Sequence, residues 1–233
     1  MLTRTRAFRG RERNPILDGW PDEDGGHERP ARNLSVALRE MRRIYAATGL
    51  EIHTITYNDL EGRYGQTLAV PQSTEALCTD MREAMSEAAL PGLNVVVVRH
   101  YAQGGLLGLS CGIPGFPSRP DISNSGVTVA GFLLTHDPWL FGSVMAHEMG
   151  HYLGLFHTTE FHGLLHDPID DTLECHWSQD YTRDRVLSAD ECAEHGGIYN
   201  MFWSGPQESD FLQHTVTEGQ RFVLMRNPMV ETY

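Results

Sequence analysis

The sequence predicts an α+β domain whose first part is an α/β layer, and three observations carry that prediction. Between residues 33 and 98, amphipathic stretches with helical spacing alternate with apolar, β-branched runs in the order helix, strand, helix, strand. Around His147 an apolar stretch places two histidines four residues apart, on one face of a helix. Beyond His157 the chain turns polar and irregular before one short closing helix near Thr217. Residues 1–32, charged and rich in Gly and Pro, read as a tail or extended arm, and residues 33–233 as the folded domain.

In chain order, Asp18–Gly26 (DGWPDEDGG) has turn chemistry and lacks the spacing and distal Glu of an EF-hand loop. Asn33 is expected to cap a helix whose stripe is Leu34, Leu38, Met41 and Tyr45, with Gly49 closing it. Leu50–Tyr57 alternates and reads as a strand. A second helix carries Leu77, Met81, Met85 and Ala88 on one face and stops at Pro91-Gly92; methionines at this spacing are core. Leu93–Val98 is apolar on both faces, as a central parallel strand is. Gly108–Gly112 matches the GxSxG pattern of serine hydrolases, but Ile113-Pro114-Gly115-Phe116-Pro117 cannot open the helix that such a nucleophile needs. It is read as a glycine-rich loop. Gly126–Ala130 (GVTVA) reads as a further short strand.

Charge narrows the function. Formal net charge is −13, and the first 13 residues hold five arginines against one glutamate, so the remainder is near −17. Such a body repels phosphates, which argues against nucleic acid. All 18 basic residues are Arg, and the lack of lysine excludes P-loop nucleotide binding and Schiff-base chemistry. No run of 18 apolar residues is present, so no membrane span is expected. The basic start has no apolar segment behind it, which read literally places the protein in the cytoplasm. Four cysteines point the other way: Cys175 and Cys192 flank a polar loop of a size that a disulfide commonly closes, while the pairing of Cys78 and Cys111 stays open.

The chemistry concentrates in His147–His157, HEMGHYLGLFH. His147 and His151 leave one helix face a turn apart, and Asp137-Pro138 supplies the N-cap and first helical position. Leu140 and Val144 share their stripe, which predicts a metal on the buried side of a core helix. Gly154 can turn the chain in a left-handed conformation and bring in His157 as a third nitrogen. Three imidazoles leave a tetrahedral zinc with one open position, the mark of a catalytic site, and Glu148 stands beside them as general base.

These residues resemble the metzincin metallopeptidases, and HEMGHYLGLFHT is most similar to the pappalysin family. The similarity continues in the acidic, cysteine-bearing HDPIDDTLEC (His166–Cys175), with Leu173 where a proline is usual. YNMFW (Tyr199–Trp203) resembles the Met-turn, and TVTEGQRFVLMRNP (Thr215–Pro228) the closing helix. It is specific over roughly residues 126–228 and before that rests on the order of elements. The resemblance implies a two-lobed domain with a mixed twisted sheet, the upper lobe about 33–154 and the lower about 155–233. It also implies one catalytic zinc, Met201 as an apolar floor under the imidazoles, and Gly126–Ala130 as the antiparallel edge strand on which a peptide adds. Trp203 stands where the family has a tyrosine able to touch the metal or the oxyanion, so it is an oxyanion or substrate-contact candidate. An export signal missing from the start is expected too, since family members are mostly secreted.

Other residues keep two readings. Asp167, Asp170, Asp171 and Glu174 offer oxygens for a calcium ion, or Asp170 or Asp171 caps turns or orients a ligand histidine. His162, His166, His176, His195 and His214 are spaced irregularly and read as solvated or structural. The function expected is a zinc metalloendopeptidase. The alternatives are a catalytically impaired, zinc-containing peptide-binding module and a zinc amidase acting on a non-protein amide.

Overall fold

The computed structural model of the chain describes residues 28–53, 55–57, 70–88, 92–102, 104–115, 126–193, 200–204 and 213–230. The expected tail up to residue 27, with its Asp18–Gly26 turn, and His195 lie outside them. The architecture is α+β. Strands β1 (Asn94–Val98), β2 (Gly108–Ser110) and β3 (Gly126–Ala130) form a mixed sheet in the order β1-β3-β2. The helices are α1 (Glu28–Thr48), α2 (Thr74–Ala88), α3 (Phe132–His136), α4 (Pro138–Tyr152), α5 (Ala189–Cys192) and α6 (Glu218–Leu224).

The sheet corrects two expectations. β3 pairs in parallel with β1, Asn94 opposite Gly126 and Val98 opposite Ala130, and antiparallel with β2, Leu109 opposite Thr128. Among the described strands, β3 is therefore central and β1 lies at an edge. The antiparallel edge strand is β2, inside the stretch read as a loop, and not Gly126–Ala130. A run that is apolar on both faces reports that both faces are covered, which holds at an edge as well as at the centre. Here α1 and α4 cover the face of Val95, Val97 and Val129, while Leu77, Met81 and Ala84 of α2 cover that of Val96, Val98 and Ala130.

Leu50–Tyr57 makes no strand among its described residues. Leu50, Ile52 and Ile55 nevertheless pack on the core, so the apolar signal reported burial without ladder pairing. Asn33 is not a cap. Helix α1 already runs from Glu28, with Pro30 in the first turn where a missing N–H costs little, and Asn33 Nδ2 donates to the Leu134 carbonyl at 2.9 Å. The helix does end at Gly49, at φ 84°: Leu50 N–H reaches the Tyr45 carbonyl (3.2 Å) and Gly49 N–H that of Ala46 (3.1 Å). In α2 the expected stripe holds for Leu77 and Met81, both buried, while the side chains of Met85 and Ala88 lie outside the described ones.

Helix α4 is built as its ends predict. Asp137 accepts from Leu140 N–H at 3.0 Å, and Pro138 takes the first position. At the other end Gly154 has φ 113°, with Leu155 N–H on the Gly150 carbonyl (3.0 Å) and Gly154 N–H on that of His151 (2.9 Å). The helix is buried on more than the expected stripe. Leu140 and Val144 are half-buried, whereas Phe141, Met145, Ala146 and Tyr152 are deep in the core. Gly142 lies against α1, where a Cβ would collide with the Ala37 carbonyl, and Tyr45 donates from α1 to the Ala146 carbonyl at 2.8 Å.

Two disulfides are formed. Cys175–Cys192 is the expected pair, and Cys78–Cys111 ties α2 to the end of β2. Helix α6 has Thr217 as N-cap in a capping box with Gln220 and ends at Leu224, ahead of the expected stop at Asn227-Pro228. Asn227 instead donates to the Leu153 carbonyl at 3.0 Å, joining the segment after α6 to the end of α4.

Candidate metal centre

Because α4 repeats every 3.6 residues, His147 and His151 project together, and the turn at Gly154 carries His157 back to meet them. The three Nε2 atoms stand 2.9 Å apart for His147 and His151, and 3.1 Å for each of the other two pairs. Among the described residues this is the one cluster able to hold a metal ion.

Each imidazole is oriented through its other nitrogen. His147 Nδ1 donates to the Met201 carbonyl (2.6 Å) and His151 Nδ1 to the Leu155 carbonyl (2.6 Å), since a carbonyl can only accept. His157 Nδ1 meets Glu160 Oε1 at 3.1 Å. With all three protons on Nδ1, three bare Nε2 lone pairs face one another, an arrangement that repels itself unless a cation lies between them. Ligands of a tetrahedral zinc with bonds of about 2.0–2.1 Å stand roughly 3.3 Å from one another, so the donor set and its spacing fit that ion. Burial lowers the pKa of His147 well below the ordinary histidine value, with His151 and His157 adding to the effect. Burial, then His157, takes His151 down to about 4. Both favour the neutral form that ligates.

Glu148 is 8% exposed and lies on the β2 side. Burial raises its pKa to about 8, against a hydrogen bond from Ser110 N–H that works the other way. A divalent cation beside it acts in the same direction as that bond. The carboxylate has room only because residue 108 is glycine: a Cβ there would stand 2.5 Å from Glu148 Oε1.

The segment around Met201 reaches the site by two groups. Met201 is buried and contributes its carbonyl, whereas the ring under the imidazoles is Phe202, stacked on His147 at 5.3 Å and edge-on to His151 at 5.6 Å. Gly150, between the two ligands, leaves the space that Phe202 fills. Trp203 is placed elsewhere. It is 2% exposed and packs with Cys175, Leu187 and Cys192, which leaves no open face for an oxyanion or a substrate.

The acidic segment does not converge on one point. Asp171 accepts from Thr217 Oγ1 (2.7 Å) and Gly219 N–H (2.9 Å), so it caps α6 from a distance. Asp167 is buried, with Oδ1 taken by Thr172 Oγ1 and Ile169 N–H, while Asp170 and Glu174 are exposed. The capping reading holds for Asp171, and the residue that orients a ligand histidine is Glu160. His162, His166 and His176 make local bonds to Leu164 N–H, Thr159 Oγ1 and Ser178, in keeping with structural roles. Glu160 carries no motif of its own, whereas Gly108 and Ser110 lie in the GxSxG match that was read as a loop, and Phe202 lies within YNMFW.

The fold and the site thus define an α+β chain with a three-histidine group able to hold a metal ion and a buried carboxylate, Glu148, on the helix that carries two of those histidines. Compared with models of known families and with curated proteins, the chain matches none.

Proposed function

We propose that the chain is a zinc-dependent endopeptidase of metzincin type, most similar to the pappalysins. The observation that carries the reading is the convergence of three bare Nε2 atoms, two of them from the helix that also carries the buried carboxylate Glu148. A zinc ion held by His147, His151 and His157 would supply Lewis acidity, to polarise a scissile carbonyl and lower the pKa of a water towards about 7. Glu148 is the group that would accept a proton as general base and return it to the leaving nitrogen. Ser110 N–H donates to the Glu148 carboxylate, which is otherwise buried.

The substrate is an extended peptide that adds to β2. Cys111 N–H and the Leu107 carbonyl pair with β3, so by the alternation of an antiparallel ladder the main-chain groups of Gly108 face away from it. Two disulfides, in a chain whose described residues hold no helix long and apolar enough to cross a membrane, support action outside the cell.

The test is digestion of a diverse peptide library by the zinc-loaded protein beside Glu148→Gln, read by mass spectrometry. Cleavage by the wild type alone, with zinc held by both, is the expected result. If neither cuts although each binds one zinc, the binding-module reading replaces this one.

A further inference from the structure

The three imidazoles are not held alike. His147 and His151 donate to neutral backbone carbonyls, whereas His157 donates to a carboxylate, Glu160 Oε1, at 3.1 Å. Glu160 is itself fixed by the hairpin that follows His157. Its N–H donates to the Leu165 carbonyl (2.9 Å), and its carbonyl accepts from Gly163 N–H (2.8 Å). Gly163 has φ 64°, and a Cβ there would stand 2.6 Å from Trp177 N, so this turn accepts glycine alone without rearrangement. The Glu160 side chain is about one-third exposed, so its charge is accessible to water yet anchored at the imidazole.

We infer that Glu160 is a positioning residue for the metal centre: through the Nδ1–H of His157 it makes that imidazole the strongest of the three donors. The physical basis is that a charged acceptor draws the Nδ1 proton more strongly than a carbonyl, which leaves more electron density on Nε2. Glu160 also brings one negative charge close to a centre whose ligands are all neutral, so it favours a divalent cation over an empty site. The inference rests on the metal-centre reading above, and its test separates the two.

Zinc affinity of the full chain is measured by competition with a chromophoric chelator for the wild type, Glu160→Gln and Glu160→Ala. The visible spectrum of the cobalt-substituted proteins is recorded beside it. Glutamine keeps the shape and an acceptor oxygen but removes the charge, so a merely structural side chain predicts no change. The expected result is zinc binding weaker by roughly ten- to a hundredfold in both variants, with shifted cobalt bands and unchanged thermal unfolding of the metal-free proteins. Glu160→Gln binding zinc as tightly as the wild type, with the same cobalt spectrum, overturns the inference and leaves the metal centre standing. A wild type that binds no zinc overturns both.

Discussion

Asn200 and Gln220 exchange amide hydrogen bonds in the core: Asn200 Nδ2 donates to Gln220 Oε1 at 2.9 Å, and Gln220 Nε2 to Asn200 Oδ1 at 3.1 Å. The same oxygens accept from Phe202 N–H and Thr217 N–H, so one pair of side chains holds both the turn that aims the Met201 carbonyl and the start of α6. Gln220→Ala strands the Asn200 amide and removes half of the capping box. It is expected to lower stability by about 2 kcal/mol, read from urea unfolding of the metal-free protein.

Two glycines next to the site predict opposite outcomes. At Gly108 a Cβ meets the flexible carboxyl end of Glu148, which can move aside, so Gly108→Ala is expected to fold and bind zinc yet lose most hydrolysis. At Gly150 a Cβ meets the Phe202 ring, which is wedged beneath two ligands, and Gly150→Ala is expected to cost about 1–3 kcal/mol by overpacking. Unfolding curves and zinc content, measured together on both variants, check the contrast.

Glu148 sets a pH dependence of the metal-free protein. Its folded pKa, raised by burial to about 8, stands above the ordinary 4.5, so the folded state holds a proton that the unfolded state has released. Stability from this group therefore falls as pH rises between about 4.5 and 8, by a few kcal/mol in all. Relative to Glu148→Gln, the metal-free wild type should be progressively less stable from pH 5 to pH 8. Parallel lines in the two unfolding series would contradict it.

The Cys175–Cys192 bridge joins cysteines separated by 17 positions in the sequence and packs on Trp203. Replacing both cysteines by serine is expected to cost about 3 kcal/mol, from loop entropy and two polar atoms left in an apolar cluster. None of His147, His151 and His157 is a member of this cluster. Zinc stoichiometry at low temperature should remain one per chain while the unfolding midpoint falls.

Legibility in the sequence followed the range of the interaction. Asp137-Pro138, Gly49 and Gly154 act on their own turns, and HExxHxxGxxH places two histidines on one helix face and a third just past its end, so these were readable residue by residue. Sheet order was not. NVVVV and GVTVA have the same apolar character because both are covered on both faces, and nothing local says which of them accepts β2. Short β2 has only three residues and two glycine-containing flanks, which read as a loop. Ser110 and Phe202 join the site from elsewhere in the chain, and Glu160, although only three residues beyond His157, is one acid among 31 acidic residues. Trp203 was an oxyanion candidate only through a resemblance, and its indole packs in the disulfide cluster.

The hydrogen bond from His147 to Met201 spans 54 residues, whereas that from His151 to Leu155 spans four. A fragment ending before residue 200 would contain every ligand and still lack the group that fixes the first imidazole. Affinity for the ion therefore doubles as a gauge of how much of the C-terminal half has docked, and a truncation series scored by metal uptake would follow the order in which the molecule assembles.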